Sequence, residues 1–169
     1  MVAVLFLVAG LMITGHAILT PLLMVIVMIT GDFLGMSLTT DHVKPSPTPN
    51  AWQIGKMTTA GSILAVCLLT FFCSVLAVGK FELGLGIDAL RTLTFLALVF
   101  GGQATLYALR DRRHVWGSRP SVWLAASSVA DIFIASALAV GGIAMTSLPI
   151  LVVAATLAAA YFSHSAWLW

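Results

Sequence analysis

The sequence predicts an all-α membrane protein, a polytopic bundle of six transmembrane helices with a truncated first helix. Composition is the first reason. Hydrophobic residues fill 60% of the 169 positions and charged residues 8%, with a mean hydropathy of +1.08, which cannot clothe a water-soluble domain. The second reason is that the apolar residues gather into six runs separated by short connections. The third is that these runs are apolar all round and do not alternate with period two, which excludes a closed β-barrel. Spans of about 20 residues use up most of the chain. Residues 1–169 therefore read as one transmembrane helical domain with no folded aqueous part.

The first run, residues 2–15, reaches only ~20 Å at ~1.5 Å per residue, short of a hydrocarbon core of ~30 Å. A signal peptide is the competing reading. It is disfavoured because no basic stretch precedes the run and no small-x-small cleavage site follows it before the next. The other runs, 22–39, 57–78, 92–109, 122–144 and 149–167, reach roughly 27 to 34 Å and match the core. Cys67 and Cys73 lie within the third run and read as small buried hydrophobes, too far apart around a helix to bridge. No two of His16, His42, His114 and His164 share a helical i, i+3 or i, i+4 spacing, so no metal site is expected.

Loop charge sets the expected orientation. Lys44, Lys56, Arg110, Arg112, Arg113 and Arg119 fall in the second and fourth connections, against only Lys80 and Arg91 in the third. The positive-inside rule places the first two groups in the cytoplasm, and an even number of spans puts both termini there too. Trp52, Trp116, Trp123, Trp167 and Trp169, with Tyr107 and Tyr161, fall near the same interface, where an amphipathic ring satisfies both of its sides. The cluster Arg110-Asp111-Arg112-Arg113 is expected to anchor the bundle to anionic headgroups, with docking of a cytoplasmic domain as the alternative. In the second connection, Pro45, Pro47 and Pro49 alternate with Ser46 and Thr48 after Lys44, which predicts a polyproline-like strut. A simple helix breaker and a docking surface remain open there.

Asp32 is the leading candidate for function, because a carboxylate inside an apolar span costs roughly 2.5 to 3.5 kcal/mol on insertion scales and marks an ion path by default. Gly31 and Gly35 flank it in a Gly-x-x-x-Gly spacing that permits a neighbouring helix backbone to approach, or serves plain packing. Asp131 in the fifth run is the second intramembrane acid, and Ser127, Ser128 and Ser136 lie nearby in sequence, where they could satisfy it if it is protonated. A structural role is favoured for it, as interhelical hydrogen bonding is for Gln103 in the fourth run. No internal repeat is evident, which weighs against a secondary transporter built from repeats.

The stretch Thr30-Gly31-Asp32 through Thr40-Asp41-His42-Val43-Lys44-Pro45-Ser46-Pro47-Thr48-Pro49-Asn50-Ala51-Trp52 resembles the sixth transmembrane helix and following loop of proton-pumping P-type ATPases. Phe100-Gly101-Gly102-Gln103-Ala104-Thr105-Leu106-Tyr107 is similar to the eighth helix of bacterial members, so the resemblance covers essentially the whole chain as helices five to ten. It implies that Asp32 is the proton carrier, loading from the cytoplasm and releasing outward, in a bacterial inner membrane. Gly31 and Phe33 stand where the family often places Asn and Gly, and no Lys or Arg occurs from Met1 to Gly31 to serve as a counter-ion.

The Asp-Lys-Thr-Gly-Thr phosphorylation motif and a Gly-rich phosphate loop are absent from the sequence, so this chain alone is expected to hydrolyse no ATP. ATP and Mg would be bound by the catalytic half of the pump, acting in cis or in trans, and no cofactor is expected in this chain. The implied partners are the lipid bilayer and a proton or other monovalent cation; no nucleic-acid partner is expected. A second functional class stays open, in which the chain is a stand-alone membrane scaffold, partner subunit or passive ion path.

Overall fold

The computed structural model describes residues 2–39, 54–110, 121–143 and 145–165. Six α-helices follow one another: α1 (Val2–Thr14), α2 (Pro21–Thr39), α3 (Ile54–Ala77), α4 (Ile87–Arg110), α5 (Val122–Gly141) and α6 (Ile150–Ser165). A π-helical turn, Val78–Glu82, continues α3, and no strand occurs among the described residues. The expected all-α fold class is thus the observed one. Four segments are long and apolar enough to cross a membrane: Pro21–Thr39, Gly61–Glu82, Ile87–Tyr107 and Val122–Gly141. Among the described residues, Val2–Thr14 and Ile150–Phe162 are shorter apolar helices.

Local chemistry sets the helix ends. Thr20 accepts the Leu23 N–H on its hydroxyl at 3.3 Å while Pro21, which needs no acceptor, opens α2 with φ already near the helical value. Ser121 caps α5 in the same way, accepting from the Leu124 N–H at 3.1 Å. Gly142 closes α5 at φ +66° and donates its N–H to the Leu138 carbonyl, a left-handed terminus that a side chain would strain. Gly15 does the same for α1 at φ +72°, with its N–H on the Leu11 carbonyl at 2.8 Å.

The fourth helix begins at Ile87, earlier than the expected start at residue 92, which leaves a short connection from the π-helical turn. The polar residues that looked like loop are helical because they pair along the helix: Arg91 donates to Asp88 at 2.7 Å, one turn apart, and Asp88 sits in the first turn where the helix dipole favours an anion.

Helix α4 is the centre of the bundle. It packs against α2, α3, α5 and α6 and is buried for most of its span, whereas α2 is mostly exposed. Phe95, Leu96, Ala97 and Phe100 of α4 are fully enclosed, and α1 packs on α3, where the Phe6 and Phe72 rings meet at 4.8 Å between centroids. Gly101 makes the α3–α4 approach possible: a Cβ there would lie 2.6 Å from Phe72 Cε1. Two basic side chains fasten the α1–α2 turn to the later helices. Lys80 donates to the Ile13 carbonyl and Arg91 Nε to the Ala17 carbonyl at 3.0 Å.

Candidate functional site

Two polar features stand out in the bundle, a buried seam between α4 and α5 and an acid on the outer face of α2. The seam starts from Gln103 of α4, which is fully buried and donates its side-chain amide to Asp131 Oδ2 of α5. The same amide lies 3.4 Å from the Ser128 carbonyl. One helical turn along α4, the Tyr107 hydroxyl donates to Ser128 Oγ at 2.9 Å. On the adjoining flank of α5, Ser127 Oγ donates to Ser37 Oγ of α2 at 2.8 Å and approaches its own Leu124 carbonyl at 3.0 Å. Helical period explains the grouping: positions 103 and 107 share a face of α4, and 124, 127, 128 and 131 share a face of α5.

Two oxygens in this seam have no hydrogen-bond partner among the described residues, Asp131 Oδ1 and Gln103 Oε1. Asp131 is only 4% exposed, and no described Lys, Arg or His side chain bonds or pairs with it. None of the three nearby serines bonds the Asp131 carboxyl. Ser127 and Ser128 spend their hydroxyl contacts on α2 and α4 instead, Ser136 makes no bond to the carboxyl, and the amide of Gln103 takes that place. Gln103 thus bonds across the α4–α5 interface.

Asp32 lies elsewhere. Helix α2 turns Leu23, Val27, Thr30, Leu34 and Ser37 inward at i, i+4, i+7, i+11 and i+14. Asp32 is two residues from both Thr30 and Leu34, which is ~200° around a helix of ~3.6 residues per turn and so points away from the bundle. Its neighbours on that face are Met28, Ile29, Gly35 and Met36, with both methionines more than 60% exposed. Among the described residues nothing bonds or pairs with the Asp32 carboxyl. Gly31 and Gly35 have no atom within 4 Å of the positions their Cβ atoms would take, so the Gly-x-x-x-Gly face packs against none of the described helices.

The loop residues Lys44, Pro45, Ser46, Pro47 and Pro49 lie outside the described residues, as do Trp52, Trp116, Trp167 and Trp169. Among the described residues no group of three His, Cys, Asp or Glu side chains converges to hold a metal ion, and Cys67 and Cys73 are free thiols.

Sequence reasoning singled out both acids and Gln103 but did not pair Gln103 with Asp131, and it missed the Ser37–Ser127 and Tyr107–Ser128 bridges. The hydroxyl-rich face of α5 was the available signal. No protein-family model matches the chain.

Proposed function

We propose that this chain is the ion-translocating membrane part of a P-type cation pump, that the proton is the carried ion, and that Asp32 is its carrier. The observation that supports the reading is the position of Asp32: an unpaired carboxyl in the middle of a membrane-length helix, aimed out of the bundle between two open glycines. Left against acyl chains, a charge at that depth costs roughly 2.5 to 3.5 kcal/mol or more. A face of this kind calls for a cover that supplies a polar contact, and Gly31 and Gly35 admit a helix backbone at close range. The first four helices of a pump are the cover this reading supplies.

In that pump both termini of the chain are cytoplasmic, in a bacterial inner membrane, and the catalytic half supplies the sites for ATP and Mg in cis or in trans. The bundle itself does no ATP hydrolysis. An aspartate alternately enclosed by apolar helices and opened to water binds a proton in one state and yields it in the other, so conformational cycling driven elsewhere moves the proton across.

The test joins the chain to its catalytic half in proteoliposomes and compares Asp32 with Asp32→Asn. Loss of net proton flux with retained phosphorylation supports the carrier; undiminished flux removes Asp32 from the role. Immunoblotting of source membranes with an antibody to the segment ending at Trp169 addresses the frame. A product several times heavier than 17.8 kDa supports an intact pump, whereas a product of 17.8 kDa with no co-purifying ATPase supports the stand-alone scaffold or passive path.

A further inference from the structure

The α4–α5 seam holds an acid that the carrier reading does not use. A carboxylate needs either a cation or a full set of donors when water is excluded, and Asp131 is buried with one neutral amide as its partner. No described basic side chain is bonded to or paired with it. Tyr107 and Tyr161 are the titratable groups in its surroundings, and Tyr107 is already committed to Ser128. Neither tyrosine supplies a positive charge.

The two unpartnered oxygens define what is missing. Asp131 Oδ1 is an acceptor with no donor, and Gln103 Oε1, on the side chain that Asp131 already touches, is another. Two acceptors cannot satisfy one another, but one proton on the carboxyl turns Oδ1 into a donor, the kind of group that Gln103 Oε1 lacks. A single proton also removes the uncompensated charge. A metal cation would need several oxygen ligands, whereas Ser128 Oγ and Ser127 Oγ are engaged with Tyr107 and Ser37 and neither bonds the Asp131 carboxyl.

We propose that Asp131 and Gln103 form a second proton-binding site, enclosed between α4 and α5 and separate from Asp32. The amide holds Oδ2 through its N–H, and its carbonyl accepts the bound proton from Oδ1. Because α2 meets this region through the Ser37–Ser127 bond, the site lies beside the helix that carries Asp32 while facing the bundle interior. The inference does not depend on the pump reading, since it concerns occupancy and not transport.

Difference infrared spectroscopy of the full chain in lipid nanodiscs tests it, with the C=O stretch of a protonated carboxyl as readout. The expected result is a band that disappears in Asp131→Asn, persists in Asp32→Asn, and shifts to higher frequency in Gln103→Leu, where the hydrogen-bonding amide is gone. Should Asp131→Asn fail to fold, a downshift of the wild-type band on slow exchange into D2O, altered by Gln103→Leu, carries the same information. The site is overturned if Asp131 contributes only carboxylate bands, if its band ignores Gln103→Leu, or if sodium or potassium added as chloride perturbs Asp131 carboxylate bands, which would make it a metal-cation site.

Discussion

Ser127 of α5 donates its hydroxyl to Ser37 of α2 at 2.8 Å, and Ser37 in turn donates to the Leu34 carbonyl. The relay ties the helix bearing Asp32 to the helix bearing Asp131. In a bilayer, helices gain little from apolar burial against one another, so a polar tie of this kind helps fix their relative rotation. Interhelical hydrogen bonds in lipid average about 0.6 kcal/mol and reach about 1.7 kcal/mol. Ser127→Ala and Ser37→Ala should each destabilise the bundle by about that amount, with a coupling energy of the same size in the double-mutant cycle, read from unfolding in mixed micelles. Fully additive effects would mean that Ser127 spends its proton on the Leu124 carbonyl instead.

Gly101 should be intolerant of any side chain. Its Cβ would lie 2.6 Å from Phe72 Cε1 and 3.1 Å from Cζ. The Phe72 ring has little room to move, since it is buried and packs on the Phe6 and Phe71 rings at 4.8 and 5.6 Å between centroids. Overpacking of this kind costs about 1 to 3 kcal/mol, so Gly101→Ala should lower the melting temperature of the purified protein. Gly102→Ala is the matched control. No atom lies within 4 Å of its Cβ position, and alanine is the better helix former by about 0.8 to 1 kcal/mol, so stability should stay level or rise.

Lys80 and Arg91 should act as clamps on the α1–α2 turn. Lys80 holds the Ile13 carbonyl, which the end of α1 leaves without an intrahelical donor, and places positive charge where the helix dipole favours it, while Arg91 holds the Ala17 carbonyl in the turn that follows. Lys80→Met should cost about 0.3 to 1 kcal/mol and speed amide exchange over residues 11–18. Asp88→Asn should do much less, because the Arg91–Asp88 pair is 72% exposed on its acidic side and such pairs contribute about 0 to 1 kcal/mol. An effect of Asp88→Asn on exchange as large as that of Lys80→Met would mean that the Arg91–Asp88 pair holds the turn as firmly as the Lys80 contact does.

These clamps show where sequence reading stops. Apolar periodicity and length located all six helices, since neither depends on what a helix packs against. The start of α4 was set too late because Asp88 and Arg91 score as polar loop residues, while their one-turn spacing makes them a pair on a helical surface. Gln103 and Asp131 were each visible as isolated polar residues in apolar runs. Their contact was not, because 28 positions separate them and only the register of α4 on α5 brings them together. The inward face of α2 was equally hidden: in an all-apolar helix no hydrophobic stripe distinguishes the side toward protein from the side toward lipid.

The outward face of α2 yields the last prediction. Gly31 and Gly35 are open, so larger residues there meet nothing within the described bundle. Gly31→Leu and Gly35→Leu should therefore leave the folding of the isolated chain unchanged, or improve it slightly, since glycine is a poor helix former by about 1 kcal/mol relative to the best residues. If a transmembrane helix of the missing pump half covers Asp32, the same changes should block its approach. Transport and co-purification with the catalytic half should then fall together. Loss of stability in the isolated chain would instead mean that α2 uses this face internally. Normal transport with leucine at both positions would mean that the face looks onto lipid, leaving Asp32 without the cover that the carrier reading requires.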